Sequence, residues 1–172
     1  MDTSAFPTVS CVTVRPWVDP VVDERGVDPR STYVEKFWLG VIGPTATWIM
    51  RRFAEEFDHH PNGFRIDLAA TATAMGVSYA KGPSSPFGRA IRRCTMFGLV
   101  LPRSDGFDVR RRFPHVAHRH LQRLPTELRD AHESWVRATV HIDIRDLERH
   151  LISAGVPPRT AVRASEAALL IS

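Results

Sequence analysis

The sequence predicts a mainly α-helical fold carrying one small β-hairpin, and three observations predict it. Apolar residues recur at helical spacing along most of the chain, glycine and proline punctuate those stretches, and an Asp105-Gly106 pair separates two short runs of strand-forming residues. A chain of 172 residues holds one main domain with appendages. Its charged fraction of 24% and hydrophobic fraction of 43% suit a soluble globular protein and argue against global disorder. No apolar run approaches the roughly 20 residues of a membrane span. The start, Met1-Asp2-Thr3-Ser4, lacks the basic and then apolar pattern of a secretory signal, so a cytoplasmic location without a membrane partner is expected.

Residues 1–27 mix valines with Pro7, Pro16 and Pro20, a density that forbids a long helix and predicts an extended, partly flexible arm. Thr32-Tyr33-Val34-Glu35 fits a capping box, and Tyr33, Val34, Phe37, Trp38, Val41 and Ile42 then line one face of a first helix. Gly43-Pro44 ends it and starts a second helix, to about Asp58, with Ala46, Ile49, Met50, Phe53 and Phe57 inward. Phe64-Arg65-Ile66 alternates like a short strand, and Asp67 caps a helix over Leu68–Met75. Ser85 caps the next, with Pro86 in its first turn. Its two faces differ sharply: Phe87, Ala90, Ile91, Cys94 and Phe97 form an apolar stripe, while Arg89, Arg92, Arg93 and Met96 share the opposite side.

After Gly98, residues 99–113 predict the hairpin, with glycine in its Arg103-Ser104-Asp105-Gly106 turn supplying a positive φ, and Arg110 and Arg112 sharing a face of the second strand. A helix from about His118 to Val136, restarting at Pro125, completes a domain over 28–136. The tail, 137–172, predicts a helical pair, Ile144–Ala154 and Thr160–Leu170, that offers a docking or homodimerisation element.

Charge is distributed unevenly. Residues 84–124 carry nine arginines against Asp105 and Asp108, a net of +7, whereas the flanking stretches come to −2 and −1 within the overall +4. Positive excess confined to one stretch is the footprint of a polyanionic partner. The order helix, short strand, helix, helix, hairpin is that of a winged helix-turn-helix, and a helix about 10–12 Å across fits a DNA major groove about 12 Å wide. Arg89 and Arg93 are the candidates for base contact. Arg92 and Met96 flank them, Arg103 sits at the wing tip, Arg110 and Arg112 suit phosphates, and Lys81 and Ser84 offer phosphate contacts from the preceding loop. Eight residues separate Gly76 from Ser85, more than the three or four of a compact helix-turn-helix.

The run Asp28-Pro29-Arg30-Ser31, Tyr33 to Leu39, Gly43-Pro44, Asp67-Leu68-Ala69, Ser85-Pro86-Phe87, Arg92-Arg93-Cys94 and Phe97-Gly98-Leu99 resembles a group of small, mostly uncharacterised actinobacterial proteins with winged helix-turn-helix domains. The resemblance spans about 28–120 and implies that fold with a DNA-binding role. Double-stranded DNA is thus the expected partner and transcription regulation, or accessory DNA binding, the expected role. A protein-interaction adaptor in a larger assembly and an RNA-binding factor are the alternatives.

Other features carry weaker chemistry. His115, His118 and His120 lack Cys, Asp or Glu at tight ligand spacing, so they are read as a helix start that gains charge toward an intrinsic pKa of about 6.5, and no metal is expected. At least three of Trp17, Trp38, Trp48 and Trp135 are assigned to the core, and Cys11 and Cys94 are read as free buried thiols. There is no phosphate loop, nucleophile elbow, HExxH or framed carboxylate pair, so neither an enzyme nor a cofactor is expected.

Overall fold

The computed structural model describes residues 11–169, without side-chain detail at 140–143, 168 and 169. The first ten residues of the arm and the expected helix end at Leu170 lie outside the described residues. The chain forms two compact units, Met1–Arg123 and Leu124–Ser172. It is mostly helical, with a four-stranded mixed sheet in the first unit.

The sheet is β1 (Cys11–Pro16), β2 (Phe64–Asp67), β3 (Val100–Arg103) and β4 (Gly106–Val109), in the order β2-β1-β4-β3. The arm expected to be extended and partly flexible therefore supplies a central strand, antiparallel to β2 and parallel to β4. Val12 and Val14 explain why: both are buried at period two, and burying one face of a strand fixes its register. The pairs Val14↔Phe64, Val14↔Phe107 and Val100↔Val109 put the apolar side chains on one face. Thr13, Arg15, Arg65 and Asp108 share the other. Pro102, which donates no ladder bond, lies in edge strand β3.

Gly106 is required for a reason other than the expected positive φ. Among the described residues the positive-φ positions are all other glycines, and the Ser104-Asp105 turn has none. A Cβ on Gly106 would instead stand 1.8 Å from the carbonyl oxygen of Thr13 on β1.

Helix α1 (Pro20–Arg25) follows β1, capped by Asp19, whose carboxylate accepts from Val22 N–H at 3.2 Å. The next helix opens one residue before its expected cap: Ser31 Oγ, not Thr32, faces Val34 N–H at 3.5 Å. It passes through a π turn over Val34–Trp38 into α2 (Leu39–Ile42). Gly43 at φ 82° separates α2 from α3 (Pro44–His59). Ala46, Ile49, Met50, Phe53 and Phe57 of α3 are all buried as expected, and Phe53 and Phe57 bring their rings within 6.0 and 5.1 Å of Phe64. Asp67 caps α4 (Leu68–Ala74) through Ala70 N–H at 2.8 Å. A 3₁₀ turn at Gly82–Ser84 leads into α5 (Pro86–Met96), which packs on α3 through Phe87, Ala90, Ile91 and Cys94.

The short helix α6 (His118–Leu121) ends the first unit's elements. The second unit is α7 (Thr126–Ser153) and α8 (Pro158–Leu169), packed on each other. Where two helices ending at Val136 and starting at Ile144 were expected, α7 is continuous, because no glycine or proline falls between Thr126 and Ser153. Gly155, at φ 90°, stops it, and Val156 N–H returns to Leu151 O at 3.0 Å.

Two further expectations are corrected. Cys11 is exposed and only Cys94 buried. Of the tryptophans only Trp38 is buried, its indole N–H donating to Pro114 O at 2.9 Å, while Trp48 is 58% exposed. Charge patterning hides this: Arg51 and Arg52 follow Trp48, and the Arg51 guanidinium lies 5.1 Å from its ring centroid, shielding an apolar surface without burying it.

Candidate nucleic-acid interface

The helix that the sequence marks for DNA, α5, is firmly built. Ser85 Oγ accepts from Gly88 N–H at 3.1 Å, and Pro86 occupies the first turn, where its missing N–H costs nothing. Gly88 is buried there against Gly82 and Pro83, whose backbone atoms would lie 2.6 Å from a Cβ. With one side buried, Arg89, Arg92, Arg93 and Met96 all reach the surface, Met96 being 76% exposed.

These four side chains are not equivalent. Arg89 folds back to donate to the carbonyl of Ser84 at 2.6 Å. Arg93 donates through Nε and Nη2 to Val41 O, at 3.1 and 2.7 Å, and so serves the carboxyl end of α2 while lying over Phe97. That oxygen is one of the carbonyls a helix end leaves without an intrahelical partner, and a cation there is favourable. The candidate base contact at Arg93 therefore has a structural task. Among the described residues Arg92 forms no hydrogen bond or ion pair, so its guanidinium is available to a ligand.

The wing arginines are also partnered. Arg103 pairs with Asp108 on its own hairpin at 2.6 Å. Arg15 from β1 clasps Asp105 at the turn with both terminal nitrogens, and holds that carboxylate below its ordinary range. Strand β4 ends at Val109, so Arg110 and Arg112 are not the regular pair on one strand face that alternation predicts. Arg110 donates to Gly98 O at 2.7 Å and Asp19 at 2.6 Å, with Trp17 4.2 Å beneath it, and Arg112 donates to Gly26 O at 3.1 Å. Arg111 is exposed and meets Asp23 at 3.2 Å. Lys81 and Ser84 are exposed in the loop before α5.

Sequence reasoning missed the acidic counterpart of this basic stretch. Asp19 caps α1 and Asp23 lies in its first turn. The available signal was the Asp19-Pro20 pair, which is a cap followed by a first-turn proline. Arg30, between Asp28 and Asp58, was also unassigned. It bonds Asp28 at 2.8 Å and holds that carboxyl below its ordinary value.

His115 and His120 gain charge only at lower pH than expected. Burial pushes His115 below its ordinary pKa. Desolvation, then Arg119 and Arg123, do the same to His120, whose ring lies 4.9 Å from Phe97. Both therefore stay neutral to lower pH than a free histidine. Among the described residues no group of three or more His, Cys, Asp or Glu is placed to hold a metal ion, and no helix is long and apolar enough to cross a membrane.

Apart from α5, a cleft of about 330 Å³ opens between the start of α3 and the end of α4, lined by Pro44, Trp48, Arg52, Met75 and Val77 among others. Comparison of the chain with protein-family models, curated proteins and solved structures returns no significant match.

Proposed function

We propose that the first unit binds double-stranded DNA through the outward face of α5, as a transcriptional regulator or accessory DNA-binding factor. The observation that carries this reading is the unpartnered Arg92 between Arg89 and Met96 on a capped, well-anchored helix. The order α3, β2, α4, α5, β3, β4 supports a winged helix-turn-helix, in which β1 is an added strand between those corresponding to the first strand and the wing. Arg89 and Arg92 approach the bases or the phosphates, Lys81 and Ser84 approach the backbone from the loop, and Arg103 lies at the tip of the wing. Arg93 positions α5 against α2.

Fluorescence anisotropy of a labelled random duplex at two salt concentrations tests the reading. Binding is expected to weaken steeply with salt, and each lost phosphate contact lowers the logarithmic salt slope by about one. Arg89→Ala with Arg92→Ala is expected to lower affinity by about tenfold or more. Absence of salt-dependent duplex binding overturns the reading. Tighter binding to RNA than to duplex DNA favours the RNA alternative.

The cleft at Trp48 favours a second reading, a protein-interaction adaptor, because a solvent-facing tryptophan beside a cleft of mixed polar and apolar lining is a common anchor of a protein contact. Retained partner binding after loss of Arg89 and Arg92, with loss on Trp48→Ala, distinguishes it.

A further inference from the structure

Three consecutive arginines direct their guanidinium groups onto one short segment of the arm. The segment 18–26 leaves the sheet after Trp17, whose N–H donates to Val109 O at 2.8 Å, and returns at Val27, which bridges to Phe113. Between these anchors it forms a strap containing α1. Arg110 meets Asp19, Arg111 meets Asp23, and Arg112 meets the carbonyl of Gly26. Asp19 caps α1 and Asp23 lies in its first turn, where its carboxylate also accepts from Asp19 N–H at 3.2 Å, so both carboxylates lie together at the start of α1.

The strap has little else to hold it. No residue of α1 is buried, and Val18 and Val21 are 67% and 64% exposed. Of the arginines beneath, Arg110 has contacts outside the strap: its Nε donates to Gly98 O and its guanidinium lies over Trp17, leaving Nη1 directed at Asp19. A polar cleft of about 290 Å³ opens alongside, with Asp23, Arg111 and Arg112 on its wall. Asp19, held below the ordinary carboxylate range chiefly by Arg110, remains ionised at neutral pH.

We propose that Arg110 and Arg111 form a phosphate-binding site for the nucleic-acid backbone that the carboxylates of Asp19 and Asp23 occupy in this structure, so that α1 is an autoinhibitory strap displaced on binding. This rests on the DNA-binding reading above. Carboxylate and phosphodiester oxygens accept from guanidinium in the same way, so the two compete directly for Arg110 and Arg111. The anchors at Trp17 and Val27 allow α1 to lift without removing β1 from the sheet.

The test compares three full-length proteins on the labelled random duplex: the native protein, Asp19→Asn with Asp23→Asn, and Glu55→Gln with Glu56→Gln. The last has the same gain in net charge on the exposed face of α3. Asparagine still caps a helix, so α1 keeps its start in the first variant. The strap variant is expected to bind about tenfold tighter than the charge-matched control, with amide exchange over 19–26 faster than in the native protein. The native protein is expected to show the same faster exchange once duplex is bound. Native binding with equal affinities for the two variants overturns the strap and leaves the DNA-binding reading standing. Failure of all three to bind overturns both. Binding by the strap variant alone supports both.

Discussion

A methyl group added to Gly106 would meet the Thr13 carbonyl oxygen at 1.8 Å, so β1 and β4 would have to separate. Gly106→Ala is therefore expected to lower stability by about 3 kcal/mol, in the upper range for overpacking. Gly98→Ala, with open space around it but φ of 67°, is expected to cost about 1 kcal/mol through backbone strain alone. Urea midpoints of the two variants check the order. Cys94 makes a second residue-scale prediction. Burial pushes its thiol up to about 12 from an ordinary 9.0, so it stays protonated and unreactive while the protein is folded. A thiol reagent at pH 8 should label exposed Cys11 quickly and Cys94 only after denaturation. The folded state keeps this contribution in full below pH 9.0, and loses it as pH rises toward about 12, because only the unfolded thiol ionises readily there. Rapid labelling of both thiols in native protein would contradict the buried position of Cys94.

At the scale of elements, α5 couples two roles that a substitution can separate. Arg93→Ala removes both donors to Val41 O and is expected to destabilise the first unit by about 1–2 kcal/mol, a charge-assisted bond weakened by partial exposure. Arg92→Ala, which breaks no bond, should change stability by less than about 0.5 kcal/mol. Chemical denaturation of the two variants distinguishes an arginine that supports the fold from one available to a ligand. The sequence resolves α3, α4 and α5 well because their signals are local: apolar spacing, Asp67 and Ser85 as caps, Pro86 in a first turn. What Arg93 and Arg110 touch is non-local and was not legible. Val41 lies 52 positions from Arg93, and Asp19 lies 91 from Arg110. The same distance in sequence concealed β1, whose parallel pairing with β4 leaves no turn signal, and whose prolines at positions 7, 16 and 20 suggest coil when read alone. The Ser31 cap differs from the expected Thr32 because the chain turns at Asp28, where Ser31 Oγ donates to Asp28 O at 2.6 Å.

For the whole molecule, the basic stretch at 84–124 is less exposed as charge than its net of +7 implies. Asp19 and Asp23, from outside the stretch, pair with Arg110 and Arg111, whereas Arg89, Arg92 and Lys81 on α5 and its loop have no acidic partner among the described residues. A salt slope therefore reports how many arginines engage, and the strap makes that number depend on whether α1 is closed. Anisotropy of the native protein and of Arg89→Ala with Arg92→Ala on a random duplex across salt concentrations decides whether α5 binds DNA. Native binding is expected to weaken with salt, and the double variant to bind about tenfold more weakly with a logarithmic slope shallower by up to two. A native protein with no salt-dependent duplex binding, or a double variant with unchanged affinity and slope, would contradict DNA binding by α5.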